Sequence, residues 1–123
     1  MMVNWLAMGA GVVLAFLLGF LVYGPLGFQR RWAEGTRISP DPPETPPLGS
    51  MAMQVLSLAL LALIIAITAT TDSLGLAVLA ILTVAAQAAS VGAWAQKSPF
   101  AIMVDTGYAI GSGILMILAH AVI

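Results

Sequence analysis

An all-α integral membrane protein, a four-helix bundle, is the fold class this sequence predicts, and three observations predict it. Hydrophobic residues make up 61% of the 123-residue chain and charged ones 7%, with a mean hydropathy of +1.06. A soluble domain carries roughly 25% charged residues, so this chain lacks the polar surface to face water all round. The second observation is where the charges are missing. Long apolar runs fall at about residues 3–23, 51–69, 74–94 and 99–122, each near the ~20 residues a helix needs to cross hydrocarbon. The third is that these runs show neither the polar face of a soluble helix nor the alternation of a strand. Residues 1–123 read as one transmembrane domain.

The first span opens without Lys or Arg and its apolar run is long, so it reads as a retained helix rather than a cleaved signal peptide. Ala7, Gly11, Ala15 and Gly19 recur every four residues. They form one stripe of small side chains, which lets a second helix backbone approach closely in lipid. Tyr23-Gly24-Pro25 ends the span. Residues 26–50 form the one sizeable polar connector. In it, Phe28 and Trp32 flank Arg30 and Arg31, a pattern suited to a short interfacial turn of helix. Pro40, Pro42, Pro43, Pro46 and Pro47 follow, predicting an extended, partly polyproline linker, with a docking segment for a proline-binding partner as the alternative. After the second span, Thr70-Thr71-Asp72-Ser73 predicts a tight turn in which Asp72 or Ser73 caps the third span. Ser98 is placed to cap the fourth, with Pro99 in its first turn, where a missing N–H costs nothing.

All the basic residues, Arg30, Arg31, Arg37 and Lys97, lie in the first and third connectors. The excess of Lys and Arg on cytoplasmic loops puts that side inside and both termini outside. A net charge of −1 leaves no basic patch for nucleic acid. The absence of cysteine removes disulfides and thiolate sites.

Asp105 is the one carboxylate within an apolar run. On a helix it shares a side with Tyr108 and Ser112, at offsets of three and seven residues. Thr83, Gln87 and Ser90 share a face of the third span, with Trp94 continuing it. Equal depth on antiparallel neighbours predicts a hydrogen bond between Gln87 and Asp105. An ionised carboxylate in hydrocarbon costs several kcal/mol, so Asp105 either locks helices together, serves a proton or cation, or reaches the headgroups. His120 is the only histidine. It lacks co-ligands for a metal; an axial porphyrin ligand needs one imidazole, but an interfacial histidine is the simpler reading. Gly107 and Gly111, with Gly113 nearby, form a second small-residue packing motif. Trp5, Trp32 and Trp94, with Tyr23, sit at predicted span ends as an aromatic belt. No nucleophile–base pair, phosphate loop or poised carboxylate pair is present, so no catalytic, cofactor or metal residues are assigned.

Asn4-Trp5, the run Leu21-Val22-Tyr23-Gly24-Pro25-Leu26-Gly27-Phe28-Gln29-Arg30-Arg31-Trp32, and Asp105-Thr106-Gly107-Tyr108 together resemble a family of small bacterial membrane proteins catalogued as a domain of unknown function. The resemblance runs along essentially the whole chain, the proline-rich linker excepted. It implies a four-helix membrane domain and brings no activity. It also draws attention to the Tyr23 exit and Asp105, where helices one and four meet, and suggests that Arg30 or Arg31 folds back to the carboxylate.

Two functions compete on this reading. One is a non-enzymatic accessory, structural or assembly subunit, surrounded by the lipid bilayer and packing against other membrane subunits or itself. The other is a small proton- or cation-coupled transporter working as an oligomer through Asp105.

Overall fold

The structure, a computed structural model, describes residues 2–39, 41 and 45–123. Its elements are α1 (Trp5–Tyr23), α2 (Gln29–Thr36), α3 (Leu48–Ala69), α4 (Leu74–Trp94) and α5 (Pro99–Val122). Four of them, α1, α3, α4 and α5, are long enough to cross a bilayer, with mean hydropathy of 1.6 to 2.4 over their most apolar stretches. No strand occurs among the described residues. The proline-rich linker expectation falls largely on residues 40 and 42–44, which lie outside the described residues.

Each helix begins and ends for local reasons. The Asn4 side chain accepts the Ala7 amide at 3.0 Å, satisfying an orphan donor of α1. α1 stops at Gly24, which Pro25 forces out of the helical region to φ −91° and ψ 179°. α2 stops at Arg37, left-handed at φ 68°, with the Ile38 amide returning to the Ala33 carbonyl at 3.0 Å. α3 starts at Leu48 rather than Met51, since Pro47 serves as its N-cap. In the α3–α4 turn neither Asp72 nor Ser73 caps α4 through its side chain. Asp72 instead takes the left-handed φ of 51° that reverses the chain, and the Ser73 hydroxyl is engaged with that of Thr71 at 2.8 Å. The Ser98 side chain accepts the Ala101 amide at 3.1 Å, with Pro99 in the first turn of α5.

α5 is the central helix and packs against each of the other four. The core it shares with α1, α3 and α4 holds Met116, Ile65, Leu58, Leu61 and Ile81, spaced by alanines. Ala7 and Ala15 on α1 are fully buried, and Gly11 is buried beside Met116. A Cβ at Gly11 would stand 3.1 Å from the Met116 Cγ, so the α1 stripe is what allows the close approach of α5. Large apolar side chains point outward instead: Leu6, Phe20 and Met103 are 73%, 60% and 71% exposed. In water that exterior would far exceed the few hundred Å² of apolar patch a soluble monomer tolerates. In hydrocarbon it costs nothing, and the chain is a multi-pass membrane protein.

The glycines of α5 divide in an unexpected way. Gly107 is exposed, with open space where a Cβ would project. Gly111 meets Leu18, and Gly113 meets the Ile81 side chain so closely that a Cβ there would overlap it. The packing motif is therefore Gly111 with Gly113, and Gly107 has no part in it. Gly113→Ala is expected to destabilise the bundle by about 1–3 kcal/mol through overpacking, whereas Gly107→Ala is expected to stay within about 0.5 kcal/mol. Thermal melts of the two variants in one detergent check this.

Candidate functional site

Asp105 lies in the second turn of α5, where the end of α1, α2 and the α4–α5 connection converge. Its Oδ1 accepts the Tyr23 hydroxyl at 2.6 Å and the Trp32 indole Nε1–H at 2.9 Å. Its Oδ2 faces the Lys97 Nζ at 2.7 Å. The carboxylate is thus held by α1, α2 and the connection before α5, each supplying one donor. The Lys97 and Asp105 side chains are 20% and 15% exposed, so neither charge has water enough to stand alone. Hydrogen bonds to an ionised group are roughly twice as strong as neutral ones.

The local backbone explains why these donors arrive together. Gln96 adopts a left-handed φ of 60°, and the Lys97 amide then bonds the Gly92 carbonyl at 3.0 Å. That reversal sets Lys97 beside the start of α5. α2 is fastened to the same place: the Ser98 amide donates to the Gly35 carbonyl at 2.9 Å, and Ala33 is buried. A side chain at Gly35 would run into Ser98 Oγ and the Ala101 Cβ. Arg31 stacks over the Phe100 ring at 3.9 Å, and Phe28 meets that ring edge-on at 5.7 Å. Tyr23 and Trp32 pack edge to face with centroids 4.8 Å apart, and the Lys97 ammonium lies 5.5 Å from the Trp32 ring.

A second polar node lies one turn further along α5. The Tyr108 hydroxyl donates to the Ala15 carbonyl at 2.9 Å and accepts from the Gln54 Nε2 at 2.8 Å, joining α5 to α1 and α3. Gly19 makes room for it, since a Cβ there would stand 3.3 Å from the phenolic oxygen. Tyr23 and Tyr108 touch edge to face at 5.4 Å. The two nodes therefore form one seam, running from Lys97 to Gln54.

Several sequence expectations are corrected. Gln87 does not bond Asp105, whose partners are Tyr23, Trp32 and Lys97. It is exposed, like Thr83 and Ser90 on the same face, and the Thr83 hydroxyl returns to the Leu79 carbonyl at 2.8 Å. Neither Arg30 nor Arg31 reaches the carboxylate; Lys97 does. Ser112 is buried at 1% exposure and joins neither node; its hydroxyl has no partner among the described residues. Trp5 and Trp94 are exposed at span ends, but Trp32 turns inward to the carboxylate rather than joining a belt. The His120 Nδ1 is engaged with the Met116 carbonyl at 3.0 Å. No group of three or more metal-ligating side chains occurs among the described residues. Gln54 and Lys97 are site residues that sequence reasoning overlooks. Gln54 carries the one carboxamide of its span, a signal that a polar partner is required.

A groove of about 570 Å³ runs between α4 and α5, with Lys97 and Asp105 at one end and Thr83, Gln87 and Ala88 along it. Chemically, the site is a closed ion pair with an open flank. Lys97→Met leaves the carboxylate without its counter-charge and is expected to cost about 3 kcal/mol. Tyr23→Phe removes one charge-assisted bond and should cost about 1.5 kcal/mol; Arg30→Ala should cost under about 0.5 kcal/mol. Denaturation of the three variants in one detergent gives the order.

No curated protein and no solved structure matches the chain. A family model described as a protein of unknown function (DUF1761) matches residues 6–121, which takes in nearly all of every span and the whole Asp105 cluster. The chain belongs to that family.

Proposed function

We propose that this protein is a non-enzymatic accessory or assembly subunit, a small scaffold that packs against other membrane protein in a bacterial inner membrane. The observation that carries this reading is the saturation of Asp105. Its two oxygens are engaged by three donors from three other parts of the chain, and every partner it needs is internal. A group held in that way joins helices; a group that loads and unloads a cation keeps a position free. The largely apolar exterior of the four spans supports the same reading, because it leaves helix faces as the surface to be used. Arg30, Arg31 and Lys97 share one end of the bundle, and that end is proposed to be cytoplasmic.

A second reading rests on the groove that reaches Lys97 and Asp105 from the lipid side. It makes the pair a proton or cation relay in an oligomeric carrier. Asp105→Asn separates the two. Asparagine keeps an acceptor for Tyr23 and Trp32 but leaves Lys97 unpaired. The scaffold reading expects a lower melting temperature, less protein in the membrane and no ion flux from wild-type liposomes. The carrier reading expects a stable variant whose proton flux is lost. Mild solubilisation of native membranes should release the wild-type chain in a discrete particle larger than itself. A reporter active only outside the cytoplasm, fused after Ile123, should be active.

A further inference from the structure

α4 is the least enclosed of the four spans along with α1, and its outward face is unlike theirs. Leu76, Ala80, Thr83, Gln87, Ser90 and Trp94 follow one another at alternating spacings of four and three residues. On a helix that spacing draws a single seam. All but Ala80, which is half-buried, are exposed. Gln87 lies seven residues before Trp94, about 10 Å along the helix axis, well inside the hydrocarbon. Its side chain makes no hydrogen bond among the described residues: Asp105 and Lys97, which line the same groove, are bonded to each other, and Tyr108 is engaged with Ala15. The unpartnered Thr106 hydroxyl is buried, and the Thr83 hydroxyl is turned back on Leu79. A primary carboxamide facing lipid leaves two N–H donors and a carbonyl without water or protein, a cost of several kcal/mol.

We propose that this face of α4 is where two copies of the chain meet, with the Gln87 carboxamides paired across a two-fold axis along the bilayer normal. The inference rests on the assembly reading and names the partner. A carboxamide carries both donor and acceptor, so two of them satisfy each other reciprocally, as a two-fold contact requires of the residue on its axis. Gln87 stands at the centre of the seam, the place where a polar pair sets register between two helices. Its neighbours Ala80, Thr83 and Ser90 are small enough for the backbones to come close. No charge lies on the seam, so nothing opposes two identical faces. The pairing also covers the flank of the groove lined by Thr83 and Gln87.

Because the chain has no cysteine, single-cysteine variants report contacts cleanly. Thr83→Cys, Ser90→Cys and, as a control on the exposed side of α1, Leu17→Cys are purified whole, reconstituted at high lipid-to-protein ratio and oxidised. The α4 variants are expected to give a disulfide-linked dimer at several times the yield of the control. Adding Gln87→Leu to Ser90→Cys should lower that yield about fivefold without lowering the melting temperature of the monomer. Equal yields from α4 and α1 cysteines, or a yield indifferent to Gln87→Leu, would overturn the pairing. A monomer in liposomes that cross-links through Ser90→Cys to a different protein in native membranes would also overturn it, and would leave the assembly reading standing. Failure of the Asp105 experiment, with α4 dimers intact, would do the reverse.

Discussion

A carboxylate inside a bilayer must be neutralised and hydrogen-bonded or it will not stay, and that single constraint organises one end of this molecule. Asp105 meets it with Lys97 on one oxygen and Tyr23 and Trp32 on the other. Satisfying it fixes more than a side chain. Tyr23 anchors the end of α1, Trp32 pins a helix that does not cross the membrane, and Lys97 anchors the reversal into α5. α2 is tied to the start of α5 by two further contacts, the Ser98–Gly35 bond and the Arg31–Phe100 stack, α1 is tied to α5 by the Tyr108–Ala15 bond, and the Lys97–Gly92 bond ties the reversal back to α4. Removing the carboxylate therefore loosens several connections at once.

The other end is held by a different force. Between α1, α3, α4 and α5 the contacts are alanine, glycine, Met116, Phe16 and a few branched side chains, and lipid supplies no hydrophobic drive to bring them together. Close approach and dispersion do that work, which is why Gly11 and Gly113 tolerate no added atom without movement of a neighbour. Tyr108 stands between the two regimes. It carries a polar tip to the Ala15 carbonyl and to Gln54, while its ring packs on Tyr23.

Hydropathy makes the four spans legible from the sequence, because a bilayer imposes one requirement on every residue of a span. The breaks are legible too: Pro25 ends α1, and Ser98 with Pro99 opens α5. The partners of Asp105 are not. Depth along a helix can be counted from its ends, and by that count Gln87 and Asp105 are level. Depth says nothing about azimuth, and Gln87 faces outward while Asp105 faces in. Lys97 is hidden for another reason. Eight residues separate it from Asp105, a spacing that means little on a continuous helix. Only the left-handed turn at Gln96 brings the ammonium round. Trp32 misleads because a tryptophan near a span end fits an interfacial belt equally well, and its indole N–H gives no hint of its target. Gly107 misleads because a glycine spacing marks possible closeness, and the neighbouring helix leans on Gly111 and Gly113 instead.

The sequence positions of the clamp carry a consequence for assembly. Membrane helices are stable individually in lipid before they associate, so the spans require no tertiary partner to insert. Asp105 is different, since it lies in the last span while Tyr23, Trp32 and Lys97 all precede it in the chain. Until α5 is in place, Lys97 has no carboxylate, the α2 helix has nothing to lie against, and Tyr108 is not there to take the Gln54 amide. The clamp can close only when the final helix arrives, and its closing draws together the end of the first span, the amphipathic helix and the last turn. In a bundle whose remaining contacts are small and non-directional, that late, charge-specific step is what selects one arrangement of the helices from the many that alanine and glycine alone would permit.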